Sequence, residues 1–221
     1  MSACSSGTSG NASTSAPAPS APLPASTTIS SGTPGPGSTT PGGPQDRAQR
    51  ALLTASDLAG GFTAGNYTRR DRPPPCAAAG SPSFRKQTSP QADVGTTLQH
   101  AKPRAALGEQ IFVYADASTA KHALSTGKAG LSCSTGTVYY SDGSKASIHI
   151  TPAVDVSSDL AVDSAFAWQL KNADIQGAQV AFALGSLVVV LSFQTVTGTD
   201  TSKLPDILSV ARFAIAKIKS S

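Results

Sequence analysis

The sequence predicts an α+β domain: an antiparallel or mixed sheet of about six or seven strands, helices packed on it, and an amphipathic helix at the C-terminus. Three observations lead there. The densest apolar stretch, Ala178 to Val196, is cut in two by Gly185-Ser186. Shorter runs bounded by turn residues precede it, and a run at helical spacing follows it.

The stretch from Ala178 to Val196 predicts a β-hairpin. Val180, Phe182 and Leu184 alternate on its first arm, and Leu187, Val189, Leu191 and Phe193 on its second. A two-residue loop that begins with glycine suits a type II′ turn. Val188 and Val190 make the second arm apolar on both faces, so it is expected to be a central strand covered from both sides. Gly, Ser and Gln interrupt the run, and a membrane-spanning helix needs about 20 predominantly apolar residues.

Residues 1 to 45 carry no Lys, Arg, Asp or Glu and are dominated by Ser, Thr, Pro, Gly and Ala. Such a composition cannot bury enough apolar surface to offset its chain entropy, so a disordered tether is expected there and one domain over 46–221. Ala51 to Phe62 predicts a compact apolar segment with a helical turn begun by Ser56 or Asp57 and stopped by Gly60-Gly61. A strand is expected from Phe62 to about Arg70, a turn of helix at Cys76 to Ala79, and a polar strand from Gln91 to His100 anchored by Val94 and Leu98.

Glu109 to Ala115 predicts a further strand. Asp116 or Ser118 can cap a helix from Thr119 to Leu131, whose face is Ala120, Ala123 and Leu124. A second hairpin, Thr137 to Tyr140 and Lys145 to Thr151, turns at Ser141-Asp142-Gly143-Ser144. Ala161 to Lys171 is a strand with Phe166, Trp168 and Leu170 on one face. Leu204, Ile207, Leu208, Ala211, Ala214, Ile215 and Ile218 then mark the closing helix, with Pro205 and Asp206 at its start and Lys217 and Lys219 at its dipole-negative end.

All 17 basic and 13 acidic residues lie after residue 45, giving a mildly basic domain of net charge +4. Arg69, Arg70 and Arg72, with Arg85 and Lys86 beyond, form a cluster that holds Asp71, precedes three prolines and lacks interleaved aromatics. A solvated strand end or loop is expected, and nucleic acid is not an expected partner.

Of three cysteines, Cys4 precedes the tether, while Cys76 and Cys133 lie within the domain. In an exported protein Cys76 and Cys133 should pair, closing a loop of about 57 residues worth about 4 kcal/mol; in a cytosolic one they would be separate thiols. Met1-Ser2-Ala3-Cys4 matches the end of a lipoprotein signal peptide, with Cys4 as the lipidated residue. No charged or apolar region precedes it, so the precursor is expected to start further upstream or the chain to be cut at the mature cysteine.

The order of features resembles the actinobacterial PknH-like extracellular sensor domain, which occurs on some receptor Ser/Thr kinases and as free-standing lipoproteins. The resemblance rests on Leu52 to Leu58, Pro75-Cys76, Ile111 to Asp116 with Ala120, Cys133, the late hairpin and the helix Leu208 to Ile218. It implies a non-enzymatic extracytoplasmic domain, anchored to the membrane by lipid, whose cleft takes an envelope ligand of unknown identity. PsbP-like envelope lipoproteins share this layout.

Chemical motifs are sparse. His100, His122 and His149 sit in separate elements without metal-ligand spacing, and His149, between Ile148 and Ile150, is expected on a polar strand face. Ser125-Thr126-Gly127-Lys128 matches the S-x-x-K pattern of penicillin-recognising enzymes, which keeps a serine cell-wall hydrolase or transferase using Ser125 and Lys128 as an alternative. The K-T-G motif is absent, and Gly127 interrupts the helix turn such a pair needs. No phosphate-loop or dinucleotide fingerprint is present, so no cofactor is expected. Trp168, the single tryptophan, reads as core; it could instead line a cleft with Tyr139 or Tyr140. A carrier of apolar ligands is a third reading.

Overall fold

The computed structural model describes residues 42–221 apart from 59, 70, 79, 141 and 142. Cys4, most of the expected tether, Arg70, Ala79 and the Ser141-Asp142 corner therefore lie outside the described residues.

The strands are β1 (Phe62–Gly65), β2 (Ala92–His100), β3 (Ala105–Val113), β4 (Thr135–Tyr139), β5 (Lys145–Ile150), β6 (Val154–Asp155), β7 (Ser164–Lys171), β8 (Ile175–Leu184) and β9 (Leu187–Val196). Among the described residues they form one nine-stranded sheet in the order β1-β2-β3-β9-β8-β7-β5-β4, with β6 beside β7. Every pairing is antiparallel. The helices are α1 (Pro44–Ala51), α2 (Phe84–Thr88), α3 (Ala117–Ala129), α4 (Ser157–Leu160) and α5 (Ile207–Ser220). The α+β class is as the sequence predicts.

The apolar hairpin forms β8 and β9, with Leu184 opposite Leu187 and φ of +57° at Gly185, as a type II′ corner requires. β9 lies between β3 and β8 at the centre of the sheet. Val189, Leu191 and Phe193 face a core shared with α1 and α5, which lie side by side; Val188 and Val190 face a second core under α3. Fully burying a side chain such as Phe182 or Leu191 is worth about 1.5–3 kcal/mol, so this hairpin contributes much of the stability of both layers.

Several boundaries differ from expectation. β1 stops at Gly65 because the chain then leaves the sheet edge and crosses its face. β3 begins at Ala105, since buried Ala105 and Leu107 continue the ladder on β9 through residues of weak strand propensity. β7 begins at Ser164, after the short β6 and α4. α1 starts inside the stretch read as tether: Pro44 suits a first helical turn, Asp46 faces its positive end, and Ala48 and Ala51 are buried. Thr54, rather than Ser56 or Asp57, caps the following 3₁₀ turn, and Asp57 returns the bond to its N–H at 2.6 Å. Asp116 and Asp206 cap α3 and α5.

Glu109 is the charged side chain buried in the α1/α5 layer, at 1 % exposure. Its Oε2 accepts the Leu53 N–H at 2.6 Å, and its Oε1 is buried without a partner. Burial pushes the carboxyl up to about 7, against the opposing effects of the Leu53 hydrogen bond and Lys217. A raised carboxyl pKa means that the folded state holds a proton the unfolded chain has released. Its stabilising contribution is full below about pH 4.5 and is lost as pH rises through about 7. Urea unfolding is expected to show a loss of about 2–3 kcal/mol between pH 5 and 8 that Glu109→Gln abolishes while keeping an acceptor for Leu53. Equal pH slopes in the two proteins would assign the titration to another group.

Candidate functional site

After β1, the described residues of 66–83 form a strap across the α3 side of the sheet. Its first tie is steric. The Tyr67 ring lies over Gly95 so closely that a Cβ there would come within 2.3 Å of it. Its second is ionic: Arg69 and Arg85 both reach Oδ2 of Asp93 at 2.7 Å, and the Asp93 side chain is 3 % exposed. Asp93 pairs with Phe112 in the β2–β3 register, so both side chains stand on the strap's face of the sheet.

The far end of the strap is tied harder. The Pro75 carbonyl accepts the Thr137 N–H at 2.9 Å, and Cys76 is bonded to Cys133 with an S–S distance of 2.02 Å. A Cβ at Gly136 would stand 2.5 Å from the Pro75 oxygen, so glycine permits β4 to approach the strap's backbone. Ser83 then caps α2 and donates its hydroxyl to Asp71, which together with Lys86 holds the Asp71 carboxyl below its usual range. Phe84 meets Phe112 edge-on at 5.0 Å.

Between strap, α3 and sheet lies a cleft of about 230 Å³. Its floor is Gln110, Phe112, Phe166, Trp168, Ala181, Val188 and Val190, from four adjacent strands, apolar but for the Gln110 amide. Leu124 and Leu131 cover it from the helix side; Pro74, Pro75 and Phe84 wall it; Arg69, Asp71, Arg72, Ser83 and Arg85 ring its mouth. The volume is just under the roughly 300–1,000 Å³ usual for small-molecule sites.

Trp168 is both core and cleft: it is 7 % exposed, packs 5.3 Å from the Phe166 ring, and lines the floor. Its indole N–H is buried with no acceptor among the described residues. Tyr139 stands under the Arg72 guanidinium, 5.6 Å from it, and the Tyr140 hydroxyl accepts from Asn172 at 3.1 Å. Ser125 and Lys128 are exposed on α3, and no hydrogen bond joins them; the lysine ammonium lies 5.9 Å from the centre of the Phe166 ring. Gly127, between them, leaves room for Phe84, whose ring a Cβ would meet at 3.2 Å. His100 faces the carbonyls of Gly60 and Pro103 with its two ring nitrogens, His122 is exposed on α3, and His149 is exposed between buried Ile148 and Ile150. Among the described residues, no three metal-ligating side chains come together.

The arginine cluster lies on exposed chain, as the sequence predicts, but its convergence on a cleft carries no sequence signal. Arg69 and Arg85 are 45 % exposed, and with Arg72 they line the cleft. The convergence depends on Asp93, which falls 24 residues after Arg69 and carries no local signature.

The geometry defines an α+β domain with an apolar, arginine-rimmed cleft on one face of an antiparallel sheet. No protein-family model matches the sequence, and no curated protein does. The fold is that of a solved structure, the crystal structure of the extracellular domain of PknH from Mycobacterium tuberculosis. The two align with a TM-score of 0.59 at 12 % identity, over 80 % of this chain and 97 % of that one. The family resemblance carried by the order of elements thus holds at the level of the fold.

Gly136→Ala forces backbone against backbone, and overpacking of this kind costs about 1–3 kcal/mol. Thermal denaturation is expected to show that loss, whereas Gly143→Ala, with open space around it but positive φ, tests the separate cost of backbone strain. An unchanged melting temperature for Gly136→Ala would mean that β4 and the strap are not held together at this point.

Proposed function

We propose that this chain is an extracytoplasmic, non-enzymatic ligand-binding domain of the sensor type, carried on the cell envelope. The observation that supports it most is the cleft itself, an apolar floor enclosed by a strap that a disulfide and a buried carboxylate fasten at its two ends. A disulfide that closes a 57-residue separation suits an oxidising compartment. The fold shared with the PknH extracellular domain agrees with that placement. Among the described residues no helix is long and apolar enough to cross a membrane. Membrane attachment in this reading runs through lipid on Cys4, supported by the Ser2-Ala3-Cys4 sequence and the charge-free tether after it. Nucleic acid has no place in it.

A serine hydrolase reading requires Ser125 within hydrogen-bonding reach of a base. Lys128 is turned to Phe166 instead, which favours the binding reading. The apolar floor also suits a carrier of small apolar ligands, which would use the same cleft but release its ligand elsewhere instead of signalling its presence.

Intact mass spectrometry of the protein from its own host is expected to find an N-terminus at Cys4 bearing diacylglycerol, and a gain of two hydrogens on reduction. An unmodified chain with free thiols would overturn the envelope placement. A β-lactam or acyl probe is expected to leave Ser125 unlabelled; covalent labelling there would restore the enzyme reading.

A further inference from the structure

We propose that the cleft takes a small amphiphilic anion: one short apolar or aromatic body on the floor, and a carboxylate or phosphate at the mouth received by Arg72 beside Arg69 and Arg85. This rests on the cleft being the binding site and adds the chemistry of its ligand.

The charge arrangement at the mouth carries the inference. Arg69 and Arg85 share one carboxylate oxygen of Asp93. Asp71 is occupied by Ser83 and by Lys86, at 3.4 Å from the latter. Arg72, between them in sequence and on the cleft lining, has no carboxylate partner among the described residues; its guanidinium is held over the Tyr139 ring. A positive excess therefore stands at the entrance to an apolar space. A guanidinium stacked on an aromatic face is pre-oriented and offers its planar fork of donors to a carboxylate or phosphate. The prolines before Cys76 and the disulfide fix the strap that carries Arg72, so little order has to be gained on binding.

The floor sets the other half of the ligand. Phe112, Phe166, Val188 and Val190 offer only carbon beside the amide of Gln110, and about 230 Å³ accommodates one short chain or ring and not the two tails of a membrane phospholipid. A free amphiphile is thus the source the cleft fits.

Trp168 is the only tryptophan, so its emission reports on the floor. Fluorescence titration of the full chain would use octyl phosphate, octanoate, octanol, octyltrimethylammonium, inorganic phosphate and vesicles of phosphatidylglycerol. Octyl phosphate and octanoate are expected to shift the emission at least about tenfold more tightly than octanol, with the cation, free phosphate and vesicles without effect. Arg72→Gln should weaken the two anions by about tenfold or more and leave octanol unchanged, and Arg72→Lys should recover part of the loss. Circular dichroism would verify that both variants fold. Equal affinity for octanol and the anions, or no effect of Arg72→Gln, overturns the anion while the cleft stands as the site. Vesicle binding with no response to the soluble anions overturns the free-amphiphile source. No response to any probe overturns both the ligand class and the cleft as its site.

Discussion

A single strand that is apolar on both faces dictates the layering of this domain. β9 cannot sit at a sheet edge or beneath solvent, because Val188, Val189, Leu191 and Phe193 are divided between opposite sides and each needs cover. The chain supplies α1 and α5 on one side and α3 on the other. The two covers are unequal. A helix of 13 residues spans about 20 Å and lies mainly over β7, β8 and β9. The floor towards β3 is left to a loop, and a loop closes a surface less completely than a helix. The cleft is the space that this difference leaves.

Closing a sheet face with irregular chain requires fastening, since such a segment brings no ladder of its own hydrogen bonds. Here the fastenings are of different physical kinds: ring against glycine at Tyr67, shared charge at Asp93, carbonyl against Thr137, and a covalent bond at Cys76. Asp93 serves two ends at once. Its buried carboxylate is tolerable only because two guanidiniums face it, and the same pairing places both cations at the mouth of the cleft. On the opposite side of the sheet, Glu109 joins the Leu53 segment to β3 with Lys217 acting on it only at a distance, and burial raises its affinity for a proton.

What could be seen from the sequence was whatever repeats at a fixed period. The β8–β9 hairpin, α3 and α5 announce themselves through alternation or helical spacing, and Asp116 and Asp206 through their caps. β6, α4 and α2 are too short to show a period. The strap was hidden for a different reason: its conformation is set by Gly95 and Gly136, glycines whose meaning depends on what lies above them in space. Arg69, Arg72 and Arg85 resembled a solvated cluster until Asp93 and Phe112 were placed on the same face. Trp168, at strand period with Phe166 and Leu170, was legible as core; its second role at the floor emerges only from the strap's route.

Pro44, where the described chain enters α1, and Ser221, after α5, border one groove at the end of the sheet where β8 turns into β9, and none of its lining residues lines the cleft. Both points therefore lie apart from the cleft. A fusion partner, an affinity handle or a sensor chip joined at either end would leave the mouth of the cleft unobstructed. The domain can thus be immobilised through either end without covering the surface that meets solutes.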